Sequence, residues 1–172
     1  MNDTQLHALQ THLGYPFTDL ALLRQALTHR SAGPVNYERL EHLGDAVLDL
    51  AVTTWLYHAF PEFGPGQMSI LRAELVRAQA LARFARQLDL PWAIALSRHA
   101  DARGLRHRTS VLSDVFEAVV GAVFVDAGTL DPVTRVLRPL IEPPAHAALH
   151  RDPAFYHVTR PQVSSPAYPQ GG

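Results

Sequence analysis

Acidic side chains recur at helical spacing in one part of the chain, and they are its clearest chemical signal. Glu38, Glu41, Asp45 and Asp49 are separated by three, four and four residues. On a helix this spacing places them on one face, within roughly 80° of one another. Like charges at such spacings repel, and an ordinary solvated face mixes its signs. The face is therefore a candidate for ligand binding or acid–base chemistry, beside the simpler interpretation of a solvated surface.

A second acidic pair lies in a segment that is otherwise almost entirely apolar. Between residues 111 and 125 the only acids are Asp114 and Glu117, which are three residues apart. A helix that is apolar on every side is a buried helix, and a buried carboxylate is costly unless it is paired or binds a metal. Arginine partners and a divalent cation could each satisfy the pair, so the pattern leaves both interpretations open.

If the two acidic faces meet, their oxygen ligands favour a hard cation such as Mg²⁺ or Mn²⁺. Mg²⁺ usually keeps several waters and shares a substrate phosphate, which indicates metal-assisted phosphodiester hydrolysis. Two rival metal sites do not fit. The Glu-x-x-His pairs of di-iron bundles are missing, since Gly44 and Val120 stand three residues after Glu41 and Glu117. A phosphohydrolase site built on a His-Asp dipeptide is excluded because no histidine directly precedes an aspartate.

The elements that must position these acids are predicted to be helices. No segment alternates as a strand does, so the sequence predicts an all-α fold. The predicted helices are 3–13, 18–27 with Thr18 as N-cap, 37–59, 69–88, 111–127 and 129–140. Between them, residues 60–67 are predicted to form a loop and residues 98–109 a polar, arginine-rich connection. On the long helix we expect Leu40, Leu43, Val47 and Leu50 to face the core, opposite the acids.

Length and composition indicate one domain. Residues 1–145 are predicted to form it, and the proline-rich residues 146–172 a flexible tail. The chain has no cysteine, which excludes disulfides and zinc–thiolate sites. A polar N-terminus and the lack of a long apolar run predict no signal peptide and no membrane span, hence a cytoplasmic location. The net charge of −1 does not by itself indicate nucleic-acid binding; all 15 basic residues are arginine, which fits codon bias as well as phosphate recognition.

Four motifs, in order, resemble those of the ribonuclease III family. The family signature is matched by residues 36–48 (NYERLEHLGDAVL), preceded by residues 27–31 (LTHRS). The next helix is matched by Met68, Ser69 and residues 71–76 (LRAELV), and the second catalytic segment by residues 113–126 (SDVFEAVVGAVFVD). The resemblance covers roughly residues 5–140, and it implies the helical fold of a ribonuclease III endonuclease domain.

The resemblance also implies roles for the acids. Glu41, Asp114 and Glu117 match the metal ligands, Asp45 and Glu117 match catalytic carboxylates, with Asp45 beside the attacking water, and Glu38 matches an acid nearer the RNA. The implied protein is a homodimeric endoribonuclease that cleaves double-stranded RNA with Mg²⁺, or Mn²⁺ in its place. It would leave 5′-phosphate and 3′-hydroxyl ends, as in the processing of ribosomal and other structured RNA.

The alternative is a non-catalytic RNA-binding or ribosome-associated protein on the same fold. Inactive relatives typically lose members of the acidic set, whereas this chain keeps Glu41, Asp45, Asp114 and Glu117. The intact set favours the enzyme.

Three features depart from the family pattern. His42 stands where the family has an aromatic residue that packs into the partner subunit, so we expect a weaker, pH-sensitive dimer interface. The loop before Met68 has Pro65 where many bacterial members have an acid, and its nearest acid is Glu62. No double-stranded-RNA-binding domain is recognisable after residue 145, so RNA binding by this chain is expected to be weaker and more sensitive to salt.

Overall fold

Helices form the regular structure of this computed structural model, which describes residues 3–152. In chain order the helices are α1 (Asp3–Leu13), α2 (Leu20–Ala26), α3 (Glu38–Ala59), α4 (Pro65–Val76), α5 (Ala78–Gln87), α6 (Leu90–Ala93), α7 (Arg98–Ala102), α8 (Thr109–Ala127) and α9 (Leu130–Arg151). A 3₁₀ turn covers Leu105–His107. No strand occurs in this part of the chain, where Thr28 and Ala95 form an isolated bridge. The all-α prediction is confirmed.

Helix α8 is the central element, as its all-round apolar character predicts. It packs against α2, α3, α5 and α9. Its buried residues are Val111, Leu112, Ser113, Val115, Phe116, Ala118, Val119, Val120, Gly121, Ala122 and Val123. Because almost every side of α8 is covered, Asp114 and Glu117 lie at the margin of the core rather than on an open surface.

Helices α3 and α8 approach so closely that their backbones are in contact. A Cβ atom on Gly44 would lie 1.8 Å from the carbonyl oxygen of Glu117, and one on Gly121 would lie 2.3 Å from the carbonyl oxygen of Leu40. Only glycine fits at either position, because any side chain would overlap the facing backbone. Gly44 is three residues from Glu41 and Gly121 is four from Glu117, so this contact brings the two acidic faces together.

The buried face of α3 is rotated from the predicted one. Leu40 and Val47 are buried as predicted, but Leu43 is only half-buried and Leu50 is 57% exposed. The prediction placed the core on the side of α3 opposite its acids. In the structure α8 covers the side of α3 that carries Gly44, next to those acids, because the acids of α3 face Asp114 and Glu117 of α8. Leu50 is left on the outer side of α3 with Tyr57, which is 66% exposed.

Two helix starts also differ from prediction. Asp19, not Thr18, caps α2: its carboxylate accepts a hydrogen bond from the Ala21 N–H at 2.8 Å. The N–H of Thr18 instead donates to Asp126 at 2.9 Å. The predicted loop 60–67 ends early, since α4 begins at Pro65; proline is well suited to the first turn because it has no N–H to satisfy.

The predicted helix 69–88 is two helices. Arg77 is extended, with ψ of 149°, and separates α4 from α5. On a continuous helix Leu81 and Phe84 would point away from the core-facing side, which carries the buried Leu71 and Leu75. The break turns both residues into the core, where α5 packs on α8. Likewise, the predicted connection 98–109 contains α7 and the 3₁₀ turn.

The last helix is longer than predicted. It continues through Pro139, Pro143 and Pro144 to Arg151, although proline removes a helical hydrogen bond. Burial explains the difference, because Ile141, Ala145 and Ala148 form one buried stripe at helical spacing. Residues 146–151 of the predicted tail are thus helical, and residues 153–172 lie outside the described residues. Within the described part, no helix is both long and apolar enough to cross a bilayer.

The backbone contact of α3 and α8 makes a testable prediction. Gly44→Ala is expected to cost about 3 kcal/mol of unfolding free energy or more, because the methyl group has no space unless the helices separate. The matched control is Gly66→Ala in α4, where a Cβ meets nothing within 4 Å; it is expected to be neutral or to stabilise by up to about 1 kcal/mol. Urea unfolding of both variants measures the difference, and equal stabilities would contradict the assigned contact.

Candidate active site

Three carboxylates from two helices meet at one end of the α3–α8 contact. Glu41 comes from α3, and Asp114 and Glu117 from α8. One carboxylate oxygen of each lies within 4.8 Å of those of the other two, and all three side chains are half-buried. A hard divalent cation binds oxygen at about 2.0–2.6 Å, so its ligands lie up to about 4–5 Å apart. The three oxygens are therefore spaced to bind one ion.

The surroundings of the carboxylate cluster distinguish between arginine and a divalent cation, the two partners that the sequence left open. Within residues 3–152, no arginine forms an ion pair with Glu41, Asp45, Asp114 or Glu117. Two arginines pair instead with acids of α3 that lie outside the cluster: Arg30 lies 3.7 Å from Glu38, and Arg72 lies 3.5 Å from Asp49. The described residues do not supply the positive charge that the cluster requires, so the geometry and chemistry of the site fit a metal ion.

Burial and mutual repulsion shift the proton equilibria of the cluster. Burial raises the pKa of Glu41, and the neighbouring charges of Asp114 and Glu38 raise it further. Burial also raises the pKa of Asp114. The effect is largest at Glu117, where burial and then the charges of Asp45, Asp114 and Glu41 raise the pKa to about 8. Without a cation Glu117 is therefore largely protonated near neutral pH, and a bound cation would favour its ionised form.

Two hydroxyl groups lie close to the Asp114 carboxylate. The Tyr37 hydroxyl donates to Oδ2 at 3.5 Å. The Ser113 hydroxyl lies 3.5 Å from Oδ1 but donates to the Ser110 carbonyl at 2.8 Å. Tyr37 is only 4% exposed, and burial together with the charge of Asp114 raises the pKa of its phenol, so the group stays a donor. The sequence motifs did not predict this role of Tyr37. The available signal was a tyrosine directly before Glu38, at the start of the acidic helix.

The other predicted site residues surround the cluster without joining it. Asp45 is exposed on the next turn of α3, and after burial its charge is the strongest influence on the pKa of Glu117. Glu38 is exposed at the start of α3. His42 is exposed and outside the three-carboxylate cluster. Glu62 and Pro65, in the loop before α4, are both exposed, and neither belongs to the cluster.

A polar cleft of about 520 Å³ opens beside the carboxylates. It is lined by His29, Arg30, Tyr37, Glu38, Glu41, Leu105, Arg108, Ser110, Val111 and Asp114. A larger groove of about 610 Å³ lies between the end of α3 and α4, but none of its lining residues is acidic. The smaller cleft therefore gives solvent access to Glu41 and Asp114, and its arginines suit a phosphate-bearing ligand.

The fold and the site define an all-helical domain with an acidic cleft whose carboxylates are spaced to hold a metal ion. Residues 19–143 match the family described as Ribonuclease-III-like. The chain belongs to the ribonuclease III family.

Relatives and solved structures agree with this assignment. Ribonuclease 3 of Thiobacillus denitrificans is 48% identical over 144 residues, which are 83% of this chain and 63% of that protein. Ribonuclease 3 of Methylococcus capsulatus is 48% identical over 139 residues, 81% of this chain and 60% of the relative. The chain thus spans about three fifths of the length of these curated relatives.

Among solved structures, the nuclease domain of ribonuclease III from Campylobacter jejuni is 39% identical, with a TM-score of 0.76 over 84% of this chain and 97% of that one. Dicer from Pichia stipitis is 29% identical, with a TM-score of 0.60 over 77% of this chain and 58% of that one. The fold of this chain is therefore that of a ribonuclease III nuclease domain.

The raised pKa of Glu117 predicts how stability changes with pH in the absence of metal. Between its ordinary value of 4.5 and about 8 the folded state holds a proton that the unfolded state has lost. Stability must therefore fall as pH rises through this window. Glu117→Gln removes the titration, so relative to the wild type it is expected to gain of the order of 1–2 kcal/mol at about pH 8 and little at about pH 5.

Thermal unfolding in EDTA at the two pH values measures this gain. Glu142→Gln is the control, since Glu142 lies on α9 and pairs at the surface with Arg138; its difference from the wild type should not change with pH. Parallel pH profiles for the wild type and Glu117→Gln would contradict the assignment.

Proposed function

We propose that the chain is an endoribonuclease that cleaves double-stranded RNA by metal-assisted phosphodiester hydrolysis. The observation that carries the proposal is the cluster of Glu41, Asp114 and Glu117, whose oxygens lie within 4.8 Å of one another without an arginine partner among the described residues. Membership of the ribonuclease III family and relatives named Ribonuclease 3 support it. The expected products carry 5′-phosphate and 3′-hydroxyl ends.

In this proposal Glu41, Asp114 and Glu117 hold Mg²⁺, and Mn²⁺ can take its place. When bound, the cation neutralises charge on the phosphate and lowers the pKa of water. Asp45 is exposed one turn from Glu41, which suits a carboxylate that orients the attacking water, and Glu117 completes the catalytic pair. Glu38, at the mouth of the cleft, would accept hydrogen bonds from RNA 2′-hydroxyl groups.

The substrates we propose are structured RNAs such as ribosomal RNA precursors, in the cytoplasm. Such duplexes are held mainly through their backbone, so shape matters more than sequence. Arg30 and Arg108 line the cleft beside the carboxylates and would contact phosphates. Binding through such contacts should weaken as the salt concentration rises.

We also propose that the chain acts as a homodimer through the outer side of α3. His42, Ala46, Leu50 and Tyr57 are all exposed there at helical spacing, and two of them are large apolar residues that water does not favour. A region involved in dimer formation is described for the related Campylobacter jejuni nuclease domain. His42 would lie at the N-terminal end of this row.

Cleavage of long double-stranded RNA tests the proposed activity. The wild type is expected to cut with Mg²⁺ and not with EDTA, while Glu117→Gln and Asp45→Asn are expected to lose about 10²-fold or more in rate, because each removes a group that acts on the reacting centre. Glu142→Gln, outside the site, should cut like the wild type. A wild type that does not cut with Mg²⁺ would refute the enzyme, and full activity in Glu117→Gln would refute the site.

Sedimentation equilibrium tests the dimer. His42→Phe, which replaces a polar ring with an apolar one, is expected to strengthen the dimer, and Leu50→Arg should yield monomers. Val125→Arg, at a residue that is 46% exposed on α8, is the matched control and should leave the dimer intact. A dimer constant unchanged in His42→Phe would exclude the role of His42.

A further inference from the structure

His29 lies in the acidic cleft, yet neither the metal site nor the proposed chemistry uses it. It comes from the connection between α2 and α3, and only 7% of it is exposed. The residue lines the same cleft as Glu41 and Asp114. A polar side chain that is buried at the edge of a reaction site is held there by specific contacts, and in this case those contacts determine where its proton lies.

The contacts of Nδ1 determine the tautomer of the ring. The backbone N–H of Ser31 donates to Nδ1 at 3.0 Å, and the Ser31 hydroxyl lies 2.9 Å from the same nitrogen. A backbone N–H can only donate, so Nδ1 must be the unprotonated acceptor. The Ser31 oxygen in turn accepts from the N–H of Ser97 at 3.1 Å, which leaves its hydrogen free for Nδ1. The ring proton is therefore on Nε2.

The backbone around His29 is also held in place. The His29 N–H donates to the Ala95 carbonyl at 3.0 Å, and the Tyr37 N–H donates to the Thr28 carbonyl at 2.9 Å. The imidazole packs edge-on against the Tyr37 ring, with centroids 5.7 Å apart. The ring edge opposite Nδ1 carries Nε2–H, which has no hydrogen-bond partner within residues 3–152. An immobilised donor is thus available at the edge of the cleft.

Burial favours the neutral form of His29. Burial and the neighbouring Arg30 lower the pKa of His29, outweighing the acids Asp114 and Glu38 that raise it. A neutral imidazole with its proton on Nε2 and its Nδ1 already occupied offers no free lone pair to a metal ion. The group can only donate a hydrogen bond into the cleft, and its complement is an oxygen acceptor on the bound ligand.

We propose that His29 is a positioning residue whose Nε2–H donates to a phosphate oxygen of the RNA strand bound at the carboxylate cluster. The inference rests on the proposed function for the identity of the ligand. Phosphate oxygens are the acceptors that a nucleic-acid backbone presents most often, and a donor fixed in advance binds without loss of side-chain freedom. Ser31 and Ser97 hold the donor in this orientation.

Two amide replacements of His29 distinguish the role of the Nε2–H donor from the role of the rest of the ring. His29→Asn keeps an acceptor near the position of Nδ1 but has no donor at the position of Nε2, whereas His29→Gln places an amide N–H near Nε2. On duplex RNA with Mg²⁺ we expect His29→Asn to lower kcat/KM by about 10- to 100-fold, the size of a lost hydrogen bond to a charged group. His29→Gln is expected to recover most of that loss. His150→Asn, at an exposed position of α9, is the control.

Binding measurements test the same contact without turnover. Fluorescence anisotropy with labelled duplex RNA in a Glu117→Gln background should show about 10-fold weaker binding for His29→Asn. Calorimetric titration of Mn²⁺ alone, with Glu117 intact, should give the same metal affinity for the wild type and for His29→Asn. Thermal unfolding confirms that each variant is folded before comparison.

The possible outcomes are distinct. RNA affinity unchanged in His29→Asn would overturn the proposal, as would a His29→Gln variant as impaired as His29→Asn. A loss of Mn²⁺ affinity with unchanged RNA affinity would show that His29 acts on the carboxylates instead. If the wild type binds duplex RNA without cutting it, the nuclease proposal fails while the anisotropy comparison still decides the role of His29.

Discussion

The contact between the backbones of α3 and α8 is the constraint on which the site depends. Gly44 and Gly121 let each helix touch the carbonyl oxygen of the other, and the acids lie within one turn of that contact. At an ordinary interhelical distance of about 8–10 Å, side chains would separate the helices, and Glu41 would be further from Asp114 and Glu117. The small residues thus act on the chemistry through distance, although they carry no functional group.

Bringing acids together in this way has an electrostatic cost, which the rest of the fold must offset. Glu117 is protonated over much of the neutral range because burial and four neighbouring carboxylates raise its pKa. The apolar side chains of α8, buried against α2, α3, α5, α6 and α9, supply the packing that holds this arrangement. The same repulsion makes the site receptive to a cation, which relieves it, and so stability and metal affinity are linked.

Hydrogen bonds outside the core hold the segments that the contact between α3 and α8 does not position. The connection from α2 to α3 is held to Ala95 and Ser97, and it presents His29 and Tyr37 to the cleft. At the far end of α8, the carboxylate of Asp126 accepts hydrogen bonds from the Tyr15 hydroxyl and from two backbone N–H groups before α2. The C-terminal end of α8 is therefore tied to the chain that precedes α2.

The sequence by itself determined the helical class, the buried character of α8 and the identity of the acids, because these follow from periodicity and from the motifs. Tertiary structure alone decided the rest. The core side of α3 includes Gly44 and excludes Leu50, since a helix wheel cannot tell which side its partner will cover. Packing also turned the chain at Arg77 and extended α9 through three prolines. The tautomer of His29 depends on Ser31 and Ser97, which are 66 residues apart, so no local pattern could reveal it.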